Sequence, residues 1–291
     1  MNAGVLYALG AYLSWGLFPL YFRQIAAIPA LQIVAHRTLW SLAFVAGVLL
    51  LSGHLRWLRE VPAATWRRFT VSALLIAVNW LTYVWAVGHG HVIDASLGYF
   101  INPLVNVALG FAVLHERPRP VQWLAVGLAA FGVLWLTVAA GRLPWIALVL
   151  AVSFGLYGLM RKTAALGAIE GLALETLILA PLALAGLAFW AQAGALAGQT
   201  AVDWAWLIGT GPVTAGALLL FAAGARRIPL ATLGIVQYVS PTLQFLLGVF
   251  LFQEAMDATR LVAFGFIWAA LAVYSAEGLW QARRAGVARP A

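Results

Sequence analysis

Ten long apolar stretches follow one another along the chain, and only short polar or glycine- and proline-containing segments separate them. A helix needs about 20 apolar residues to cross the hydrocarbon core of a bilayer, so each stretch has roughly the length of one span. The sequence therefore predicts an all-α polytopic membrane protein with ten transmembrane helices. Their predicted ranges are 3–22, 31–51, 69–88, 94–114, 120–139, 144–160, 170–192, 203–224, 230–252 and 260–279.

The composition excludes the soluble classes of protein. Charged residues make up 9% of the 291 residues and hydrophobic residues make up 64%. A soluble domain carries about a quarter charged residues, so this chain lacks the polar surface of a soluble enzyme or a secreted domain. The formal net charge of +8 fits a membrane protein, because Lys and Arg collect in cytoplasmic loops. We expect the lipid bilayer as a partner, and no nucleic acid.

The positive charges also predict the orientation in the membrane. If the N-terminus is cytoplasmic, 13 of the 17 Lys and Arg residues lie in inner loops, three lie in outer loops, and Arg37 falls inside a span. This asymmetry predicts that both termini face the cytoplasm. The outer residues are Arg23, Arg142 and Arg260; the inner ones are Arg56, Arg59, Arg67, Arg68, Arg117, Arg119, Arg161, Lys162, Arg226, Arg227, Arg283, Arg284 and Arg289.

The two halves of the chain share motifs at a nearly constant offset. Ala95-Ser96-Leu97-Gly98 corresponds to Ala231-Thr232-Leu233-Gly234, and Ser14-Trp15-Gly16-Leu17 corresponds to Ser153-Phe154-Gly155-Leu156. A proline, a glycine, a glutamate and a glycine recur at one spacing, at positions 103, 110, 116 and 127 and at positions 241, 248, 254 and 265. We expect these glycines to allow close helix contacts.

Because each half holds five spans, an odd number, the halves must have opposite orientations. An inverted repeat of this kind is typical of secondary transporters, which bind substrate between the repeats. We predict a first repeat over 1–140 with helices 1–5, a second repeat over 144–280 with helices 6–10, and a short basic cytoplasmic tail over 281–291.

Several motifs carry a resemblance to a known family. They are Ala35-His36-Arg37, Asn79-Trp80-Leu81, Gln237-Tyr238, Pro241-Thr242-Leu243 and above all the run ASLGYFINPLVN at 95–106. With these motifs the chain resembles the RarD family, the chloramphenicol-sensitivity proteins, within the drug/metabolite transporter superfamily. The resemblance covers nearly the whole chain. It implies two five-helix EamA repeats, with helices 5 and 10 as peripheral scaffold, in a bacterial inner-membrane exporter of small metabolites or drugs.

Two ionisable residues lie deep in their spans, where such groups are costly and mark functional sites. Arg37-Thr38-Leu39 in helix 2 corresponds to Glu175-Thr176-Leu177 in helix 7, so an inverted repeat places a cation and an anion on opposite sides of one cavity. A guanidinium suits a substrate carboxylate, and a partly desolvated carboxyl group can exchange protons. We predict substrate binding by Arg37 and proton coupling by Glu175. The alternative is that each pairs with a helix end or a lipid headgroup.

His36 is a second candidate for proton coupling, because imidazole changes its charge between pH 5 and 8. It shares a helical face with Trp40, which lies four residues further on. A structural histidine held by a hydrogen bond is the alternative.

Polar and aromatic side chains gather at mid-depth in the predicted spans. An amide that faced lipid would lack a hydrogen-bond partner, so these residues are expected to face a wet or ligand-filled interior. The aromatic part of this pattern is less specific, since Trp and Tyr also collect at membrane interfaces. The predicted substrate-binding residues are Trp15, Arg37, Asn79, Trp80, Tyr83, Tyr99, Asn102, Gln237 and Tyr238.

Pro103 and Pro241 fall within helices 4 and 9, each after a polar residue. Proline removes a backbone hydrogen bond and kinks a helix. Matching places in both halves favour a hinge for alternating access over a static kink.

These patterns together predict a non-enzymatic secondary active transporter of small organic molecules, amino-acid-like, aromatic or amphipathic. It is expected to export them by alternating access, coupled to protons, without a metal or cofactor. No Walker-type loop is present, so ATP cannot drive this chain directly. Two alternatives stay open: an uncoupled metabolite facilitator or channel, and an intramembrane enzyme, for which no convergent catalytic groups stand out. The sequence leaves open the substrate and whether the chain works as a monomer.

Overall fold

The computed structural model describes residues 3–53, 56–115, 117–162, 164–196, 198–225, 227–228 and 236–287, and all regular structure in these ranges is helical. Ten α-helices follow one another there, besides a short 3₁₀ helix at Arg56–Glu60. They are α1 (Ala3–Arg23), α2 (Ala30–Leu51), α3 (Ala63–Gly88), α4 (Val92–Leu114), α5 (Pro120–Ala140), α6 (Trp145–Lys162), α7 (Ala168–Gln192), α8 (Ala201–Ala225), α9 (Val239–Leu246) and α10 (Ala258–Val287).

Eight of these helices are long and apolar enough to cross a membrane. The other two, α6 and α9, are apolar but shorter, and α9 continues into a π-helical turn at Leu247–Leu251. Since a lipid-exposed backbone must satisfy its own hydrogen bonds, long apolar helices are the form expected of a spanning chain. The prediction of an all-α polytopic membrane protein is confirmed.

Two helix boundaries differ from the predicted ones. α3 begins at Ala63, ahead of the predicted start at 69, because Thr65-Trp66-Arg67-Arg68 form its first turns before the apolar stretch. α10 continues to Val287, past the predicted end of the second repeat at 280. The predicted start of the ninth span at 230 lies outside the described residues, and Val236 and Gln237 shortly before α9 are helical. The repeat motif at 231–234 and Glu116 lie outside the described residues.

The closest helix contacts form a regular set. α2 packs along α7 and α8, α3 along α6 and α7, α1 along α8 and α9, α4 along α6 and α9, and α5 along α10. When each helix of the first five is exchanged with the helix five places later, every one of these pairs becomes either itself or another pair of the set. α5 and α10 lie at the periphery, where they contact each other and the N-terminal half of the bundle through α4.

Glycine allows two helix contacts at corresponding places in the two halves. A Cβ at Gly155 of α6 would lie 2.8 Å from Cγ1 of Val105, and a Cβ at Gly16 of α1 would lie 2.8 Å from Cδ1 of Leu243. The predicted repeat aligns Gly16 with Gly155, and it also aligns the residues that they contact, Leu243 and Val105. Small residues at these points let α6 approach α4 and α1 approach α9.

The outer surface of α5 is apolar, with Leu124 57%, Leu134 61% and Val138 82% exposed. Such a surface suits lipid rather than water. A Cβ at Gly127 of α5 or at Gly265 of α10 would meet open space. The expectation that these two glycines allow close helix contacts is therefore wrong, because both face away from neighbouring helices.

Candidate functional site

Glu175 lies two turns into α7 and is 1% exposed. The Ser72 hydroxyl of α3 donates to its Oε1 at 2.5 Å, and the Tyr157 hydroxyl of α6 donates to its Oε2 at 3.3 Å. Nη1 of Arg161 in α6 lies 3.9 Å from Oε1. Three helices therefore meet at one buried carboxyl group, whose charge one guanidinium balances. A buried carboxylate needs such a partner together with hydrogen bonds.

Arg161 is held from several directions beside this carboxyl group. Its Nη2 donates to the carbonyl of Gly167 at 2.8 Å, and the guanidinium carbon lies 5.3 Å from the centre of the Phe69 ring. The guanidinium occupies the space that a Cβ at Gly171 would fill, so any larger residue at that position of α7 would displace the guanidinium. The charge pattern assigned Arg161 to an inner loop. The structure places it in the last turn of α6, with a side chain 17% exposed.

Arg37 of α2 is 4% exposed and is surrounded by rings rather than by acids. Its Nε donates to Oγ1 of Thr214 in α8 at 2.9 Å. The guanidinium carbon lies 4.1 Å from the ring centre of Trp80, 5.4 Å from that of Phe22 and 5.7 Å from that of Phe18. Within the described ranges no carboxylate forms an ion pair with it. Cation–π contacts therefore stabilise this charge in place of an ion pair with a carboxylate of the described residues.

The two buried charges have corresponding surroundings. Phe18 and Phe22 of α1 contact the buried guanidinium, and Tyr157 and Arg161 of α6 contact the buried carboxyl group. The offset that relates Tyr157 to Phe18 and Arg161 to Phe22 is the one that relates the two contact glycines of α1 and α6. The same two helix positions thus contact a buried charge in each half, with apolar rings in one half and hydrogen-bonding groups in the other.

A line of aromatic rings connects the two charges. Ring centres are 6.1 Å apart between Phe22 and Tyr83, 5.8 Å between Tyr83 and Tyr99, 6.0 Å between Tyr99 and Phe154, and 5.9 Å between Phe154 and Tyr157. The hydroxyl of Tyr83 is buried and has no hydrogen-bond partner among the described residues. The structure therefore places the predicted residues Tyr83 and Tyr99 between the buried cation and the buried anion.

Asn79 and Asn102 join helices to one another. Nδ2 of Asn79 donates to the Ser153 hydroxyl at 3.0 Å, and its Oδ1 accepts from the Tyr99 hydroxyl at 3.3 Å. Nδ2 of Asn102 donates to the carbonyl of Ala151 at 3.1 Å. These bonds tie α3 and α4 to α6, so both amides have partners within the protein. Substrate binding by these two residues stays a prediction.

Trp15 contacts aromatic rings of α1 and α8. Its ring centre is 5.4 Å from that of Tyr12 and 5.6 Å from that of Phe221, and its carbonyl accepts from Nε2 of Gln244 at 3.1 Å. Trp15 therefore packs between α1, α8 and α9. Its repeat counterpart, Phe154, is the residue that lies in the line of rings.

The ring and cluster contacts of His36 and Tyr238 are with residues other than Arg37 and Glu175. The His36 ring is edge-on to Trp204 of α8 with centres 5.2 Å apart, and its Nε2 is buried without a hydrogen-bond partner in the described part of the chain. Tyr238 packs into the apolar cluster formed by α4, α5, α9 and α10, and Gln237 beside it is half-buried. Proton coupling by His36 and substrate binding by Gln237 and Tyr238 stay predictions.

The two prolines of the predicted hinges have different helical contexts. Pro103 lies in the interior of α4, which continues through it and leaves the carbonyl of Tyr99 without its helical donor. Pro241 is the third residue of α9, and the residues Val236 and Gln237 shortly before this helix are helical too. The hinge function of both prolines stays a prediction.

Two clefts approach the buried charges. One of about 340 Å³ lies between α1 and α8, and its wall includes Phe18, one of the rings around Arg37. Another of about 30 Å³ lies between α3 and α6, and its lining includes Ser72 and Arg161, both of which contact Glu175. Each charge is thus one side chain away from an opening.

Comparisons with known proteins agree with this architecture. The EamA-like transporter family matches residues 2–138. An uncharacterized transporter of Pseudomonas aeruginosa is 49% identical over 98% of this chain and 96% of its own length. Protein RarD of Streptomyces exfoliatus is 46% identical over 97% of this chain and 91% of its own length. The chain belongs to the RarD family of EamA-like transporters. It is therefore a multi-pass membrane protein of a transporter family.

The fold of this RarD-family chain also resembles a solved structure. The chain of that crystal structure superposes with a TM-score of 0.61 at 21% identity, covering 94% of this chain and 97% of the other. At this identity the likeness shows the fold alone.

Sequence reasoning missed several contacts of this RarD-family site: Phe18, Phe22, Ser72, Tyr157, Arg161 and Thr214. Serine, threonine and phenylalanine are common in apolar helices and do not stand out by type. The repeat held a usable signal, however. Continuing the match of Ser14 with Ser153 along both helices aligns Phe18 with Tyr157 and Phe22 with Arg161, and these are the residues that contact the two buried charges.

Proposed function

We propose that this protein is a secondary active transporter that moves small organic molecules with an anionic group across the bacterial inner membrane. Export by alternating access, with proton coupling at Glu175, is the mode that the site favours. One observation carries the proposal. Arg37 and Glu175 are buried opposite charges at corresponding positions of the two halves, with corresponding neighbours on α1 and α6.

Arg37 supplies the binding charge. A guanidinium without a carboxylate partner attracts an anionic group more strongly than one already in an ion pair, because no internal anion has to be displaced. The rings of Trp80, Phe22 and Phe18 around it provide apolar surface for the rest of the ligand. These contacts favour an amphipathic or aromatic acid over a purely polar one.

Glu175 supplies the proton site. Its carboxyl group is buried, and its charge depends on one guanidinium and two hydroxyl donors. Loss of any of these donors from the carboxylate favours the protonated form, so a movement of α3 or α6 relative to α7 changes proton binding. A transporter couples proton and substrate through a link of this kind between conformation and protonation.

The helix contacts support alternating access. The set of helix pairs maps onto itself when the first five helices are exchanged with the second five, as a pseudo-two-fold repeat requires. In an inverted repeat the halves can exchange conformations, which opens a central site to each side in turn. The Lys and Arg distribution supports cytoplasmic termini.

The test begins with ligands. A thermal-shift screen of amino acids, nucleosides, amines and phenicol drugs on the purified protein identifies compounds that bind. Proteoliposomes with an internal pH-sensitive dye then report proton movement driven by a gradient of each binding compound. We expect Glu175→Gln to abolish proton movement while ligand exchange persists, and Arg37→Ala to abolish both.

Matched controls come from the peripheral helices. Glu277 of α10 and Arg119 of α5 form an ion pair at 2.5 Å, away from the centre, so Glu277→Gln and Arg119→Ala should leave both signals intact. Unchanged flux of every ligand in Glu175→Gln and Arg37→Ala would contradict the proposal. Ligand flux without proton movement in the natural protein would identify an uncoupled facilitator, and product formation without transport would identify an enzyme.

A further inference from the structure

The cleft between α3 and α6 is lined by cationic and hydroxyl groups. Thr65, Arg68 and Ser72 line it from α3, and Arg161 lines it from α6, together with Phe69, Met160, Ala164 and Ala165. No carboxylate is among these eight described lining residues. The cleft volume of about 30 Å³ equals the share of one water molecule in the liquid, so the cleft admits a single small polar group at a time.

Arg161 stands between this cleft and Glu175. Its Nη2 donates a hydrogen bond to the carbonyl of Gly167, but its Nη1 is buried and makes no hydrogen bond within the described ranges. Nη1 lies 3.9 Å from Oε1 of Glu175, an ion-pair distance but too long for a hydrogen bond. One strong donor is therefore unused beside a cleft that carries a second guanidinium and two hydroxyl groups.

We propose that this cleft binds the carboxylate of a small organic acid, and that binding there is accompanied by uptake of a proton on Glu175. The proposal rests on the proposed function and deepens it, since it names the substrate class. A carboxylate in the cleft and a charged Glu175 would share the guanidinium of Arg161 and repel each other across it. Protonation of Glu175 removes the repulsion and frees Arg161 for the ligand.

Like Arg161, Ser72 can interact either with Glu175 or with a ligand in the cleft. Its hydroxyl lines the cleft and also donates to Oε1 of Glu175 at 2.5 Å. A hydroxyl has one proton to donate, so it serves either the Glu175 carboxylate or an anion in the cleft. When Glu175 is protonated, Ser72 can turn its hydrogen bond to the ligand.

Glu175 is surrounded by hydroxyl groups and one guanidinium. α3 presents Ser72, and α6 presents Tyr157 and Arg161. α2 also packs along α7, but its titratable groups are engaged elsewhere, His36 with Trp204 and Arg37 with Thr214. On α8, Asp203 is bonded to Thr200 at the helix start. Glu175 contacts the cleft through two of its lining groups, Ser72 and Arg161.

Linkage makes the consequence measurable. If anion binding favours protonated Glu175, then protonated Glu175 favours anion binding by the same factor. Acid and proton are then bound together rather than in exchange. Export in this form is electroneutral and is driven by accumulation of the acid itself inside the cell.

The experiment measures proton uptake by the purified protein in detergent, in weakly buffered solution near neutral pH with a pH indicator. Sodium acetate is the probe, because it stays ionised there, and sodium chloride is the comparison anion. We expect acetate to cause uptake approaching about one proton per chain at saturation, with less uptake for chloride at equal concentration. No uptake with acetate, or equal or greater uptake with chloride, would overturn the assignment of a carboxylate site.

Two variants, each with a matched control, locate the effect. Glu175→Gln should abolish proton uptake, whereas the peripheral Glu277→Gln should keep it. Gly171→Ala changes no charge but places a Cβ where the Arg161 guanidinium lies, so it should reduce acetate binding and proton uptake together. Gly127→Ala, whose Cβ meets open space, is its matched control.

Arg68→Gln keeps the proposal testable if the Gly171 variant fails to fold. Arg68 is exposed on α3, so the variant should fold. It should weaken acetate binding by about threefold while the proton uptake per bound acetate stays the same. Full proton uptake in Glu175→Gln, or unchanged acetate affinity in Arg68→Gln, would count against the proposal. Because no transport is measured, failure here leaves the flux test of the proposed function untouched.

Discussion

Ser72 and Ser41 are both buried serines, but they have different hydrogen bonds. Ser72 donates to Glu175 at 2.5 Å, whereas the Ser41 hydroxyl has no partner among the described residues. We expect Ser72→Ala to lower the free energy of unfolding by about 1–3 kcal/mol near neutral pH, because a buried carboxyl group loses a donor. Ser41→Ala should cost little. Thermal unfolding of both variants in one detergent measures the difference, and equal midpoints would count against the role of Ser72.

At the scale of single residues, rarity decided what the sequence could predict. Arg37 and Glu175 stand out because charges inside apolar spans are few, and the structure buries both. Arg161 was missed for the opposite reason. It lies beside Lys162 at the end of a span, where a positive charge has a sufficient topological explanation. Its turn toward Glu175 depends on the missing side chain at Gly171, a contact between helices that no local pattern encodes.

At the scale of helices, Glu254 connects the end of α9 to the start of α4. Its Oε1 accepts from the backbone N–H of Val92 at 2.6 Å, and its Oε2 accepts from that of Ile93 at 2.9 Å. These N–H groups have no acceptor within α4, and a negative charge there also interacts favourably with the helix dipole.

We expect Glu254→Gln to lower the free energy of unfolding by about 1–2 kcal/mol, because the amide keeps one acceptor but loses the charge. Glu60→Gln, at an exposed position, is the control and should change little. Thermal unfolding again provides the measurement. Equal loss in both variants would mean that general surface charge, rather than the contact with α4, explains the effect.

The helices were predictable because the bilayer sets their length. The existence of all ten follows from apolar stretches, since water and lipid impose a strong contrast on each span. Their ends follow less well, because α3 and α10 extend through polar residues that interfacial or aqueous surroundings tolerate. The π-helical turn after α9 was not predictable, since it depends on how Gly248 meets Ile93 of α4.

At the scale of the whole molecule, the two halves carry opposite charges in corresponding surroundings. In the proposed inverted repeat, an odd number of helices per half would place these surroundings on opposite sides of the membrane, with the cation toward one side and the carboxyl group toward the other. In the proposed transport, an acid would then meet Arg37 at one end of the line of rings and Arg161 with Glu175 at the other. The placement of the two charges on opposite sides of the membrane depends on the opposite orientation of the two halves.

The inversion predicts the sides of two corresponding loop residues. His89 follows α3, and its repeat counterpart Arg227 follows α8. An inverted repeat places His89 outside and Arg227 inside. The chain has no cysteine, so His89→Cys and Arg227→Cys each carry a single thiol. In intact spheroplasts a membrane-impermeant maleimide should label the first variant and not the second, and permeabilisation should make the second react.

The outcome separates two architectures that share the same ten helices. Labelling of both thiols from outside would mean that the halves are parallel, which requires an even number of crossings between His89 and Arg227. The shorter apolar helix between these two residues, α6, would then have to stay on one side of the bilayer. Tyr157 and Arg161 could not then reach a carboxyl group buried at depth in α7. Opposite labelling therefore tests the same helix placement on which proton coupling at Glu175 depends.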